Sequence, residues 1–271
     1  MVAPDGHGTG GSVDYDAIAG TYDRRYTRAR VAGVDTHAGV ERAVLAFAGD
    51  DPGRHVLEVG CGTGHWLSVL AQHGFGHVAG LDASAGMLEV AATKVEADLR
   101  EGDAARLPWP DATFDRVCCI HALHHFPDKP RFVAEARRVL RSGGGLFTVG
   151  LDPHTGDDRW LVYDLFDGAL AMDRRRYPPT AALRTWMADA GFTRARSFVA
   201  QHQPGRGAAR AALAQGWLDR ASTSQLTLLS DAAYDRGIAR VWEHIHAAER
   251  RGETFELYAD LRLYATVGWV P

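Results

Sequence analysis

The chain has 271 residues, 30 of them Lys or Arg against 34 Asp or Glu, with 46% hydrophobic residues and a formal charge of -4 at pH 7. This is the composition of a folded protein with a sizeable core and excludes a mainly disordered chain. It supplies no basic surplus for a nucleic-acid backbone, and no apolar run reaches the roughly 18 residues that a membrane span needs.

The first residues (MVAPDGHGTGGS) are Gly-rich, without a basic start followed by an apolar stretch, and read as a flexible terminus over 1–13 of a cytoplasmic protein. Three cysteines, Cys61, Cys118 and Cys119, are too few and too oddly placed for a disulfide framework and read as reduced, buried thiols. From His55 onward, short apolar runs alternate with helical stretches: HVLEVG (55–60), HVAGLD (77–82), DRVCCI (115–120) and GGLFTVG (144–150). Near-continuous apolar runs suit strands buried on both faces, and their alternation with helices predicts a mostly parallel α/β sheet. Between the last two runs, Phe132, Ala136, Val139 and Leu140 recur at helical spacing. Asp128 stands near the start of that helix, and Arg141-Ser142-Gly143 is expected to close it.

After Gly150 the alternation stops. Residues 151–178 are rich in Trp, Tyr, Phe and Asp, and end on Arg174-Arg175-Arg176 before Pro178-Pro179. The arginine run reads either as a solvated helix face or as a recogniser of an acidic substrate. A helix from about Thr180 to Ala190 leads to a strand, FTRARSFVA, and then to a long section, 201–253, with a helical stripe of Ile238, Val241, Trp242 and Ile245. The tail alternates Phe255, Leu257, Ala259, Leu261, Leu263, Ala265 and Val267, the period of a strand with one buried face. One domain over 14–271 is expected, with 14–50 as an amino-terminal helical lid and 151–178 and 201–253 as insertions capping a substrate. The aromatic content of the insertions fits an apolar or aromatic small molecule, and equally the burial of added helices or a dimer surface.

Where the first strand meets the next helix, Glu58-Val59-Gly60-Cys61-Gly62-Thr63-Gly64 lets the backbone turn tightly and approach a ligand. Asp82 closes the second strand, where a carboxylate can accept both hydroxyls of a ribose, and Asp103 ends a third short strand, within reach of an exocyclic amine. The glycine spacing is G-x-G-x-G, not the G-x-G-x-x-G of a dinucleotide loop, and no P-loop lysine follows. A ligand with ribose and adenine but no pyrophosphate fits this pattern.

On these residues the sequence resembles the class I S-adenosylmethionine-dependent methyltransferases, in particular the type 11 group that includes ubiquinone and menaquinone methylases. VLEVGCGTG looks like the first motif, GLDAS the ribose-binding turn and EGDAARLPWPDATFD the adenine-binding segment, and the likeness continues through DRVCCIHALHHFPD and RVLRSGGGLFTVG, over about residues 14–150. The resemblance implies a Rossmann-like, mostly parallel seven-stranded sheet between helices with an antiparallel last strand. It implies S-adenosyl-L-methionine as cofactor, S-adenosyl-L-homocysteine as its product, and a small-molecule acceptor methylated on O, N or C. Carried over, it places Gly60, Cys61 and Gly62 along the methionine part with Glu58 beneath, Asp82 on the ribose, Ala83 and Met87 about the adenine, and Asp103 with Ala104 on its edge. Tyr15 and Tyr22, in a stretch similar to the family's Y-x-x-x-A-x-x-Y-D, are expected over the cofactor, Tyr22 at its sulfonium end.

Methyl transfer needs an aligned, dry acceptor, and an acidic acceptor must also lose a proton. His121, His124 and His125 follow the fourth strand and face the methyl end if the resemblance holds, with His121 also against the cofactor. His124 or His125 is the expected base, with Asp152 as its orienting partner; a scaffold role for the histidines is the alternative. No metal is expected, because Cys118 and Cys119 point to opposite faces of a strand and cannot both join the histidines. The other function class considered is a protein that binds the cofactor without methylating, as a regulator or a sulfonium-assisted cyclase or decarboxylase. Membrane and nucleic acid are not expected partners, and the chain is expected to be a monomer or homodimer.

Overall fold

The computed structural model of the chain describes residues 14–23 and 37–271. The expected flexible terminus, 1–13, and residues 24–36 of the expected lid lie outside the described residues. Two amino-terminal helices, α1 (Tyr15–Tyr22) and α2 (Ala38–Ala48), precede a run of strands and helices: β1 (His55–Val59), α3 (His65–Gln72), β2 (His77–Asp82), α4 (Ala85–Ala92), β3 (Asp98–Glu101), β4 (Phe114–Ile120), α5 (Lys129–Val139) and β5 (Leu140–Leu151). There follow β6 (Arg159–Trp160), α6 (Leu161–Leu165), α7 (Ala169–Arg176), α8 (Thr180–Asp189), β7 (Thr193–Ala208), α9 (Ala209–Ala214), α10 (Ser224–Thr227), α11 (Asp231–Arg250) and β8 (Glu256–Trp269).

The strands make one mixed sheet in the order β3-β2-β1-β4-β5-β8-β6, with β7 also paired to β8. The first five strands are parallel, and β8 runs antiparallel to β5 from Gly145↔Trp269 to Leu151↔Leu263. The Rossmann-like order with an antiparallel last strand is therefore present, in eight strands where seven were expected. The extra strand is the two-residue β6, held on β8 by Arg159↔Asp260 and Trp160↔Ala259. Such a short piece has no periodicity to read in the sequence.

The helix before β5 starts as expected and ends differently. The Asp128 carboxylate accepts the Arg131 N–H at 2.9 Å, and Phe132, Val133, Ala136 and Val139 are buried. The chain then enters β5 directly at Leu140, which is 2% exposed and registered on Phe114. Arg141-Ser142-Gly143 thus lies inside a strand, because Leu140 gains more from the core than from another helical residue. Likewise β7 continues past Ala200 to Ala208 through Pro204, tolerable because β7 pairs with β8 alone among the described strands.

The described chain divides into two compact units. The larger contains Tyr15–Trp160, Asp173–Gly205 and Tyr258–Pro271 and holds the sheet's core strands. The smaller gathers Leu161–Met172 and Arg206–Leu257 around α11, whose buried ridge is Ala233, Gly237, Val241, Ile245 and Ala248. Gly237 lets Phe166 lie flat on that helix, since a Cβ there would stand 2.2 Å from the ring.

In the larger unit, Glu135 ties α5 to the loop that follows Asp103. Its Oε2 accepts the Leu107 N–H at 3.0 Å and an Arg138 N–H at 2.7 Å, and Arg138 also donates to the carbonyls of Leu107 and Trp109. The Arg138 hydrogen bond holds the Glu135 carboxyl below its ordinary value of 4.5. A depressed folded-state pKa contributes stability above the unfolded value and loses it as pH falls through the folded one. Glu135→Gln is expected to cost about 2 kcal/mol at pH 7, the scale of a lost charged hydrogen bond. That deficit should shrink below about pH 4, as denaturant unfolding at the two pH values would show.

Candidate active site

The glycine loop leaves β1 at Gly60, which takes φ +76°, followed by Gly62 at +51° and Gly64 at +75°. The Gly60 and Cys61 amides both donate to the Leu81 carbonyl, at 2.7 and 3.0 Å. A Cβ on Gly60 would lie 2.3 Å from that of Ala122. Gly60→Ala therefore combines a left-handed backbone with a steric overlap and is expected to destabilise by about 3 kcal/mol. For a chain of this size that lowers Tm by roughly 10 °C, readable by calorimetry.

Asp82 locks the loop to the end of β2. Its Oδ2 accepts the Gly62 N–H at 2.7 Å and its Oδ1 the Ser84 N–H at 3.0 Å. Ser84 in turn caps α4 by accepting the Met87 N–H at 3.1 Å. Burial raises the Asp82 carboxyl above its ordinary value despite these amides. Glu58, 1% exposed beneath the loop, is pushed well above its ordinary value by burial and then by Asp82. The Cys61, Cys118 and Cys119 thiols are raised by burial and are inert.

A cavity of about 470 Å³ opens over this loop. All twelve residues that the sequence assigned to the cofactor line it: Tyr15, Tyr22, Glu58, Gly60, Cys61, Gly62, Asp82, Ala83, Met87, Asp103, Ala104 and His121. Tyr15 and Tyr22 reach it from α1, which two carboxylates fasten down. Asp16 accepts from Ser84 Oγ at 2.5 Å and the Gly86 amide at 2.9 Å, while Asp23 accepts from Thr63 Oγ1 at 2.6 Å and from Lys94 Nζ. Both carboxyls are held below their ordinary range, Asp16 chiefly by the Ser84 hydrogen bond, Asp23 by Lys94 and Thr63 against the effect of its own burial. Asp103 accepts the Ala105 amide at 2.9 Å and so shapes the turn at the far wall.

Of the three expected catalytic residues, only His125 lines this cavity. Its Nε2 lies 2.6 Å from the Tyr15 hydroxyl, with the rings edge to face. His124 is buried and stacks on Tyr177, centroids 4.1 Å apart at 17°. Asp152 is 2% exposed, and its two oxygens accept the backbone amides of His154 (3.1 Å) and Thr180 (2.8 Å). These bonds fix the turn after β5 and the start of α8.

Trp66 was missed by the sequence reading. It is 2% exposed at the start of α3 and lines the cavity beside His121. Three buried polar atoms of cavity-lining residues have no hydrogen-bond partner among the described residues: Glu58 Oε2, Trp66 Nε1 and His121 Nε2. Such atoms cost free energy until a ligand satisfies them. His121 also holds φ +54°, and burial lowers its imidazole to about 3, so it is neutral. No group of side chains suited to a metal ion occurs among the described residues.

Comparison with known proteins converges on the same region. The family described as "Methyltransferase domain" matches residues 57–148, from β1 to β5. Residues 57–148 are thus similar to a methyltransferase domain. The chain is 38% identical over 141 residues to the demethylmenaquinone methyltransferase of Lactiplantibacillus plantarum, covering 49% of this chain and 58% of the relative. With that of Listeria welshimeri it shares 36% over 143 residues, covering 50% and 59%. The match thus spans less than two thirds of the length of these curated relatives. Among solved structures, an assigned methyltransferase from an antibiotic biosynthesis pathway of Anabaena variabilis superposes with TM-score 0.67 at 21% identity, over 84% of this chain and 96% of that one. Haemonchus contortus phosphoethanolamine N-methyltransferase 2, solved with S-adenosyl-L-methionine, gives 0.59 at 16% identity, over 96% and 61%. These two likenesses speak for the fold.

The cavity suits S-adenosyl-L-methionine. Asp82 offers carboxylate oxygens where a ribose would lie, Ala83 and Met87 offer apolar surface to adenine, and the three unpartnered atoms match a zwitterionic amino-acid end. Trp66 Nε1–H can only donate and so suits its carboxylate. Trp66→Phe keeps the ring and removes that donor. It is expected to weaken S-adenosylhomocysteine binding about tenfold, the scale of one hydrogen bond to a charge, while leaving 5′-methylthioadenosine, which lacks the amino-acid end, unaffected in calorimetry.

Proposed function

We propose that the protein methylates a small-molecule acceptor by in-line displacement, with His125 as the general base. Bound S-adenosylmethionine supplies a methyl group on a sulfonium, a good leaving group already in place. The chain's own task is to hold donor and acceptor in line, exclude water and take a proton from the acceptor. The observation that carries this reading is the single cavity with Asp82 and the glycine loop along one side and the His125–Tyr15 pair on another. Tyr15 orients the His125 ring through its hydroxyl, and Asp152 fixes the neighbouring turn after β5 and the start of α8.

The relatives named for demethylmenaquinone make a quinol-type acceptor the first to try. The three buried, unbridged cysteines suit a reducing compartment, in keeping with a cytoplasmic enzyme. The test is incubation with S-adenosylmethionine and reduced demethylmenaquinone, followed by mass spectrometry. A gain of one methyl group and matching release of S-adenosylhomocysteine support the proposal. Calorimetry without heat for either cofactor form would overturn it.

A further inference from the structure

The helix that brings Tyr15 and Tyr22 to the cavity is short and thinly anchored. A helix of eight residues is not stable by itself in water, so α1 depends on what it touches. Among its described side chains only Ala19 is buried. Polar bonds fasten it at both ends instead. At its first turn, Asp16 Oδ1 accepts from Ser84 Oγ at 2.5 Å and from the Gly86 amide at 2.9 Å, both at the start of α4. Gly86 permits this approach, since a Cβ there would stand 3.1 Å from Asp16 Oδ1 and 3.4 Å from the Asp16 Cα. Just past the last turn, Asp23 accepts from Thr63 Oγ1 at 2.6 Å and from Lys94 Nζ, and Lys94 also donates to the Thr63 carbonyl at 2.8 Å. Lys94 follows the end of α4, so α1 is tied to both ends of that helix.

The two fasteners land beside the residues that face a ligand. Ser84 also donates its N–H to Asp82, and Thr63 follows Gly62, whose N–H donates to the same carboxylate. On α1 itself, Asp16 follows Tyr15, whose hydroxyl lies 2.6 Å from His125 Nε2, and Asp23 follows Tyr22, which lines the cavity. Each carboxylate thus holds the neighbouring tyrosine in place. A segment with few buried apolar groups and partly exposed polar bonds opens locally far more readily than the core, and release of these bonds would lift one wall from the cavity.

We propose that Asp16 and the Asp23–Lys94 pair are positioning residues that latch α1 over the cavity, retaining the cofactor and holding Tyr15 against His125. This rests on the reading that the cavity binds S-adenosylmethionine. The test is the dissociation rate of radiolabelled S-adenosylhomocysteine from the full chain, chased with unlabelled compound. Asp16→Ala and Lys94→Ala are each expected to speed dissociation about tenfold, the scale of one hydrogen bond to a charge. Gly86→Leu, a good helix former that wedges α1 away while leaving both latches chemically intact, should also speed it. Asp16→Asn retains an acceptor for Ser84 and Gly86 and should restore most of the wild-type rate. Because Asp23 and Lys94 form one latch, the double variant Asp23→Ala/Lys94→Ala should dissociate no faster than Asp23→Ala. With a methylated acceptor, Asp16→Ala should lower kcat in the wild-type background and no further in Tyr15→Phe, which a merely structural role would not produce. Dissociation at the wild-type rate in Asp16→Ala or Lys94→Ala, or full additivity of Asp23→Ala and Lys94→Ala, overturns the inference alone. Failure of S-adenosylhomocysteine to bind the wild-type chain overturns the methyltransfer reading and the inference with it.

Discussion

Asp82→Ala is expected to reduce affinity for S-adenosylhomocysteine at least a hundredfold. Hydrogen bonds to a charged group contribute about 1.5–3 kcal/mol each, and a ribose presents two hydroxyls, so about 3 kcal/mol is a low figure for the loss. A hundredfold corresponds to about 2.8 kcal/mol. The same change also frees the Gly62 and Ser84 amides, loosening the loop against β2. Asp82→Asn separates the two effects. It keeps the shape but exchanges one acceptor for a donor, so affinity should fall by a similar factor with a smaller change in Tm.

The direction of the Asp82 shift adds a pH signature. Its folded-state pKa is raised, chiefly by burial. A carboxylate raised in the folded state costs stability while ionised, and that cost is relieved as pH falls through the folded pKa. Acidification therefore does not weaken the ligand-free protein through this group. Cofactor affinity behaves oppositely, because the protonated carboxyl loses acceptor strength. Calorimetric affinity should start to fall above the ordinary value of 3.8, before free aspartates titrate. An affinity level down to that value would show that the ionised Asp82 is not what holds the ligand.

The sequence carried this half of the molecule because its chemistry is local. Gly60, Gly62, Asp82 and Asp103 sit at strand ends, where apolar runs stop and turn residues begin, so position along the chain already implied position around the cavity. Trp66 escaped because an aromatic two residues into a helix reads as core; that its indole N–H has no partner among the described residues is visible only once the neighbours are in place. Asp152 could not be judged from sequence either. One of its partners, the Thr180 amide, is 28 residues away. The smaller unit was illegible for a related reason. Leu161–Met172 and Arg206–Leu257 pack through contacts such as Phe166 on Gly237, which no periodicity within either segment encodes. The helical stripe of α11 was readable, but its partner was not.

His125→Gln is expected to lower kcat by about a hundredfold to ten-thousandfold for an acceptor that must lose a proton, the usual range for removing a general base. S-adenosylhomocysteine affinity should change less than threefold, since glutamine retains a hydrogen-bonding group opposite Tyr15. Tyr15→Phe removes the hydroxyl 2.6 Å from Nε2 and leaves the imidazole. It should cost about tenfold in kcat, because ring orientation is lost while basicity is kept. The pH profile distinguishes a base from scaffold. Wild-type kcat/KM should rise with pH through one ionisation, and that limb should vanish in His125→Gln but persist in Tyr15→Phe. Asp152→Asn is the informative contrast: with both oxygens committed to backbone amides, it should lower Tm and leave the limb in place. If the limb persisted in His125→Gln, His125 would not be the base.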